Sequence, residues 1–249
     1  MSKAGDIYVS DTSHRVTHIA PDGSVGQWGG PGSGEGEFDF GTFEGGTNAR
    51  GAIAVGPDGL VYVSDADNQR VQVFTAEGGF VRAFGELGSA PGQFTIPFDL
   101  NIDDAGNVYV TDDGAERITK VAPDGTSLWI ADETTDPRLR GHPHTAAFDS
   151  AGRLIITIDD TQTILRLDPE TGEVLEALPR GGCESVPDPW GRIWVLDCSA
   201  TELTLLDQAG NPLAADRELG LALLRLRDDG RGVALGGDGS VLDVVVTPR

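Results

Sequence analysis

Short apolar runs of four to six residues recur along the whole chain, each cut off by turn residues. The clearest is Gly59-Leu60-Val61-Tyr62-Val63-Ser64-Asp65. Close variants begin at Gly5, Gly106, Gly152 and Gly191, and a decayed copy runs from Gly230 to Gly236. The leading glycines are 54, 47, 46, 39 and 39 residues apart. Strand-sized runs repeating at that interval are the mark of a propeller or a solenoid rather than of a layered domain.

The second repeat shows what each unit contains. Ala52-Ile53-Ala54-Val55 reads as an inner strand and Gly56-Pro57-Asp58-Gly59 as a tight turn. Leu60 to Ser64 is the second strand, Val71 to Phe74 the third, and Phe80 to Phe84 the outer edge. The β-branched and aromatic filling and the Pro-Asp-Gly and Gly-Gly punctuation agree with that reading. The same turn chemistry returns at Pro21-Asp22-Gly23, Asp104-Ala105-Gly106, Pro123-Asp124-Gly125 and Gln208-Ala209-Gly210. Glycine supplies the positive φ and Asp or Pro starts the turn. No stretch has the i, i+3, i+4 pattern of a helix, so the chain reads as all-β.

The text Asp65-Ala66-Asp67-Asn68-Gln69-Arg70-Val71-Gln72-Val73-Phe74, followed by Phe84-Gly85-Glu86-Leu87-Gly88-Ser89-Ala90-Pro91-Gly92-Gln93-Phe94, resembles the NHL-repeat family of six-bladed β-propellers. Asp159-Asp160-Thr161-Gln162 and Asp197-Cys198-Ser199-Ala200 depart from that pattern by lacking the Asn-x-Arg ending. The resemblance implies one NHL-like propeller domain over residues 1–249, six-bladed, with four-stranded antiparallel blades. It also implies that the loops after the second strands and between blades share one face, where partners bind. The first unit starts at its second strand and the last stops at its third, so the first and last blades are expected to be incomplete. Open strand edges there favour association, and a native upstream strand would complete the first blade.

Composition narrows the partners. The formal net charge is −22, from 18 basic and 40 acidic residues. Such a chain repels phosphate backbones and anionic membranes, which excludes nucleic acid as an expected partner. No stretch of eighteen apolar residues exists, and no signal peptide or membrane span is expected. The compartment stays open.

Aligning the repeats on their glycines puts Arg50, Pro97-Phe98-Asp99, Pro143-His144 and Gly182-Cys183-Glu184 at the starts of inner strands. In a propeller these starts line the central mouth. Gly141-His142-Pro143-His144 resembles the Pro-His strand start of propeller lyases such as the virginiamycin B lyase and peptide-amidating lyase families, which implies a metal or a catalytic base there. Zinc needs three or four converging ligands, and His14 and His18 sit on the first unit's turn and third strand. Resemblance to gluconolactonase-type propellers implies instead a calcium held by Asn48, Asp99 and Glu184, hard oxygen ligands. Calcium or zinc is thus the implied cofactor of an enzyme reading. The regular Asp11, Asp65, Asp112, Asp159 and Asp197 are turn caps, with Arg15, Arg70 and Arg117 in the same local networks.

Arg50, Arg138, Arg140, Arg180 and Arg217 lie in the interblade loops and gather on one face. Guanidinium forks suit carboxylates and phosphates. The long loop from Gly29 to Asn48 carries Phe38, Phe40 and Phe43, which can cover the mouth or grip a partner. Cys183 and Cys198 fall nearly opposite on one hairpin, as a bridge, as two thiols, or with Cys183 as a nucleophile beside His144. The reading is a binding module for a peptide, protein or small anionic ligand, with contacts Arg50, Asp99, Arg138, Arg140, His142, His144, Arg180 and Glu184 and no catalytic residue assigned. The alternative is a metal-dependent propeller lyase or lactonase-type hydrolase.

Overall fold

The structure, a computed structural model, describes residues 5–41, 51–197, 202–216, 221–226, 231–236 and 241–245. Phe43, Asn48, Arg50, Cys198 and Arg217 lie outside the described residues. The chain divides into two compact units, Met1–Ile130 and Ala131–Arg249.

The first unit opens with a sheet of three strands, β1 (Ile7–Ser10), β2 (Arg15–Ile19) and β3 (Val25–Gly29), in that spatial order. A four-stranded sheet follows: β4 (Ile53–Val55), β5 (Val61–Asp65), β6 (Arg70–Phe74) and β7 (Phe80–Phe84). The next holds β8 (Pro97–Ile102), β9 (Val108–Asp112), β10 (Arg117–Val121) and β11 (Ser127–Ala131). The second unit has the same plan. It contains β12 (Pro143–Phe148), β13 (Leu154–Ile158), β14 (Thr163–Leu167) and β15 (Val174–Ala177), then β16 (Glu184–Pro187), β17 (Ile193–Leu196), β18 (Leu203–Leu206) and β19 (Pro212–Asp216). A three-stranded sheet of β20 (Leu221–Leu226), β21 (Arg231–Gly236) and β22 (Val241–Val245) ends it. Each sheet is an antiparallel meander, as the short turns between strands require.

The all-β character and the strands read for the second repeat agree with the structure. Six four-stranded blades are not present among the described residues, so the six-bladed reading is corrected: four sheets reach four strands, and the first and last, expected to be incomplete, have three. The glycine period counts copies of the second strand. It carries no information on whether each copy is flanked by a full set of partners, and that is where the blade count failed.

Apolar residues on facing sheets make the core. In the first unit Val16, Phe38, Phe40, Val61, Val63 and Phe74 form one buried cluster, and Tyr62, Val71, Val73, Phe94, Leu100, Val108, Val110 and Val121 another. In the second unit Ile155, Ile164, Leu178, Ile193, Val195 and Leu206 do the same. Second strands β5, β9 and β13 are buried throughout, which explains their near-continuous apolar text. The polar residues in these strands have assigned partners. Ser64 Oγ accepts the Ala52 N–H at 2.8 Å and donates to Phe98 O at 3.4 Å, tying neighbouring sheets. Thr157 and Ser185 hydroxyls meet at 2.7 Å in the second unit.

Candidate functional site

Loops are where partners reach a sheet protein, and two of them in the first unit are built to one design. In each, a glycine with positive φ ends the outer strand, Gly29 at +96° and Gly85 at +99°. A Cβ at either position would fall within 2.8 Å of the ring of Phe38 or Phe94, respectively. Those rings are fully buried, and short parallel bridges, Pro31 to Phe38 and Leu87 to Phe94, fold each loop onto itself. Phe38 and Phe40 stack at 4.8 Å and Phe38 packs on Phe74 at 5.5 Å. They plug the core, so the expectation that these two aromatics cover a mouth or grip a partner is corrected.

The aspartate that closes each second strand fixes the loop from the other side. Asp65 accepts Asp39 N–H at 2.7 Å, Gln72 Nε2 at 2.9 Å and Arg70 Nε at 2.7 Å, and Asn68 Nδ2 bonds the same carboxylate. Arg70 in turn donates to Gly34 O and Glu37 O. Asp112 repeats this with Thr95 and Ile96 N–H, while Arg117 reaches Ser89 O and Gln93 O. Burial pushes both carboxyls, Asp65 and Asp112, above the ordinary Asp value, against the lowering by these donors. The turn caps read from sequence are therefore also loop anchors.

In the second unit, the copy at Asp159 has lost its arginine. Thr163 opens β14 where Arg15, Arg70 and Arg117 open the equivalent strands. Without that guanidinium the Asp159 carboxylate faces His144, Oδ2 to Nε2 at 4.0 Å, and its other oxygen contacts Cys183 Sγ. One residue on, Asp160 Oδ2 accepts the His142 N–H at 3.2 Å and lies 3.9 Å from His142 Nε2. Gly141 permits this approach: its φ is +112° and a Cβ there would stand 2.7 Å from Asp160 Oδ2. Sequence reasoning set Asp159 aside as a cap. The missing arginine was the sequence signal that this copy has different neighbours.

The remaining sequence-derived residues separate clearly. Arg138 is committed: its guanidinium pairs with Asp136 at 2.6 Å and donates to Val174 O at 2.9 Å, and the Arg138 hydrogen bond holds the Asp136 carboxyl below its usual value. Arg140 is 80 % exposed, and its Nε lies 3.8 Å from Glu133 Oε2. Arg180 is exposed in the loop before β16, and Glu184 opens β16 opposite Leu196. Asp99 belongs to the first unit, where its side chain caps Leu100 N–H at 2.9 Å and its own N–H bonds Thr111 Oγ1 at 3.0 Å. Cys183 is disulfide-bonded, which removes the thiol nucleophile considered beside His144. Among the described residues no group of three or more His, Cys, Asp or Glu is arranged to hold a metal ion. No helix of the described residues is long and apolar enough to cross a membrane.

Comparison with known proteins places this geometry. Residues 51–74, the second sheet's inner strand through its third, match the NHL repeat. The chain is 33 % identical over 116 residues to NHL repeat-containing protein 3 of Homo sapiens, covering 43 % of this chain and 33 % of that protein. It is 25 % identical over 138 residues to Protein brain tumor of Drosophila melanogaster, covering 55 % and 13 %. The match thus spans about a third of the length of the human relative. Among solved structures, virginiamycin B lyase from Staphylococcus aureus superposes with a TM-score of 0.68 at 12 % identity, covering 100 % of this chain and 83 % of that one. That likeness is one of propeller fold.

Proposed function

Because residues 51–74 match the NHL repeat and the chain is similar to NHL repeat-containing protein 3, we propose that it is an interaction module whose loops dock a peptide or protein partner. The docking surface we assign is the loop-to-strand junction of the second unit that carries Arg140, His142 and His144. The single observation that carries this reading is the spacing of these three basic side chains from their neighbouring carboxylates. Arg140 stands 3.8 Å from Glu133, His142 3.9 Å from Asp160 and His144 4.0 Å from Asp159. Such long, partly hydrated pairs are worth little. The exposed Arg140 pair exchanges readily for a partner's groups, whereas a tight pair such as Arg138 with Asp136 does not. Exposure falls along the series, from Arg140 through His142 at 44 % to His144 at 18 %, so the partner reaches an open rim first and a shielded residue last.

A carboxylate-bearing peptide segment suits the Arg140 fork, with Arg180 as a second cation on the same unit. The test is a peptide array of acidic, neutral and basic segments probed with wild-type protein and with Arg140→Ala and His142→Ala. The reading expects acidic segments to be retained by wild type and weakened about tenfold or more in either variant, since hydrogen bonds to charged groups contribute about 1.5–3 kcal/mol. Retention indifferent to both substitutions would move the docking surface elsewhere.

A further inference from the structure

His14 puts an imidazole at a position that later copies of the repeat fill with glutamine or glutamate. It stands immediately before Arg15, as Gln69 stands before Arg70, Glu116 before Arg117 and Gln162 before Thr163. All four have left-handed backbone, with φ of 59°, 53°, 49° and 49°. The turn is therefore alike in each copy and the side chain is what differs. In the first unit that side chain reaches the loop that follows β3, where His14 Nδ1 accepts the Phe40 N–H at 3.0 Å. A main-chain N–H only donates, so Nδ1 carries no proton and the imidazole is the neutral Nε2–H tautomer.

The two loops of like design differ at this point. Asp39 and Ile96 are equivalent: each gives its N–H to the closing aspartate, Asp65 at 2.7 Å and Asp112 at 2.8 Å, and each carbonyl takes an N–H at 2.9 Å, from Asp67 and Asp113. The residue that follows is Pro97 in the second loop, which has no N–H to satisfy, and Phe40 in the first, which has one. Phe40 is fully buried, stacks on Phe38, and would meet a Cβ at Gly51 within 2.7 Å of its ring. A buried N–H left without an acceptor is costly. The charged groups on the elements that meet here are, among the described residues, Asp11 and Arg15 on the turn of His14, Asp39 on the loop, and Asp65 and Asp67 beyond it. The Asp11 carboxylate takes the Ser13 and Arg15 N–H groups and pairs with the Arg15 guanidinium at 3.4 Å. Asp65 is held by Arg70, and the Asp67 carboxylate lies against Gly41. Asp39 Oδ1, which takes the Gly41 N–H at 3.3 Å, lies 3.8 Å from His14 Nδ1 and its side chain is half exposed.

We propose that His14 is an acid-operated latch on the loop that carries Phe40. Neutral, it holds the Phe40 N–H. Protonated at Nδ1, it presents a donor to that donor, releases it and turns to the Asp39 carboxylate. The exchange is uneven, because the pair gained is half exposed and worth little, whereas the bond lost leaves a buried N–H unmet. The sign follows from this. The bond is whole on the alkaline side and is lost as pH falls through the range in which histidines take up charge, about pH 8 to 5. Asp65 holds the Asp39 N–H independently of His14, so the opening is confined to the Phe40 end of the loop. A change in acidity too mild to protonate an ordinary carboxylate is thereby converted into a change in how one buried aromatic is held.

The test is site-resolved NMR on the whole isotope-labelled protein from about pH 8 to about pH 5, with His14→Gln beside wild type. Glutamine already occupies this turn position at Gln69 and Gln162, and its carboxamide oxygen accepts a hydrogen bond without titrating. Long-range imidazole nitrogen correlations should report the Nε2–H tautomer of His14 at the alkaline end. His18, paired with Asp6 at 2.7 Å, is followed on its own resonances. On acidification the exchange protection of the Phe40 amide, corrected for its intrinsic rate, should fall about tenfold. That of Phe38, whose N–H goes to Gly30 O at 2.8 Å, should hold within about twofold. In His14→Gln the Phe40 protection should stay level across the same range. An Nδ1–H tautomer at the alkaline end overturns the proposal, as does Phe40 protection in wild type that ignores pH. An equal fall in His14→Gln overturns it too, by giving the pH dependence to another group. If His14→Gln folds poorly, the tautomer and the Phe40 protection of wild type decide the matter.

Discussion

Arg70 Nε donates to Asp65 Oδ2 at 2.7 Å, onto a carboxylate with no exposed surface. Because that carboxylate also takes the Asp39 N–H and Arg70 also takes Gly34 O and Glu37 O, the pair joins the end of one strand to the loop arriving from the sheet before it. A buried pair of this kind is costly to assemble and more costly to break. Arg70→Ala should therefore destabilise by about 3–5 kcal/mol by leaving Asp65 uncompensated. Arg15→Ala, at the exposed Asp11 pair with its 3.4 Å contact, should cost no more than about 1 kcal/mol. Urea melts of the two variants decide the matter, and equal losses would mean that the buried pair does not anchor the loop.

What was readable beforehand follows from what repeats. The strands, the turns and the Asp-to-Arg networks recur with the same letters, so position in the repeat gave their role. Features that depend on a partner far along the chain did not show. Arg138 looked as available as Arg140 until Asp136 and Val174 O were seen to hold it. Phe38 and Phe40 looked like loop aromatics because the ring-sized gap above Gly29 exists only in three dimensions. At Asp159 the repeat loses its arginine, with Thr163 in that place, and the carboxylate lies 4.0 Å from His144, a neighbour that only the fold reveals. The blade count failed for the related reason that a repeated strand does not report its neighbours.

Glycine positions of equal φ should differ sharply in tolerance. Gly29 and Gly23 both have positive φ, +96° and +83°, but a Cβ at Gly29 meets the Phe38 ring at 2.8 Å and one at Gly23 meets nothing within 4 Å. Gly23→Ala should cost only the backbone term, about 1–2 kcal/mol. Gly29→Ala should add displacement of a fully buried phenylalanine, for a total of about 3 kcal/mol or more. Thermal melts with near-ultraviolet circular dichroism read both, and a Gly29→Ala protein as stable as Gly23→Ala would show that Phe38 is free to move aside.

Tyr8 and Tyr62 should both titrate late. Burial, reinforced by the charges of Asp6 and Glu77, pushes the Tyr8 hydroxyl up to about 12. Burial likewise raises Tyr62, with Asp58 nearby. A folded pKa above the unfolded value of 10.0 means a contribution to stability that is whole below pH 10 and is lost as pH climbs toward 12. Absorbance at the phenolate band should show a late step that disappears in Tyr8→Phe, accompanied by falling stability across that window. A single step near pH 10 for the folded protein would contradict the environment assigned to Tyr8.

At the acid end, two groups of aspartates should move in opposite directions. Asp22, Asp124 and Asp207 sit in exposed turns, and hydrogen bonds from Ser24, Thr126 and Asn211 hold their carboxyls below 3.8. Their contribution to the turns is present above pH 3.8 and is lost as pH falls through their lower folded values. Asp65 and Asp112 are raised by burial, so their contribution is complete below 3.8 and declines as pH rises through their folded values. Mild acid should accordingly leave the loop anchors in place while the outer turns loosen first. Carboxyl-carbon NMR titration checks the order directly: midpoints for Asp22, Asp124 and Asp207 below those of Asp65 and Asp112 are expected, and the reverse order would mean that the donors around Asp65 outweigh its burial.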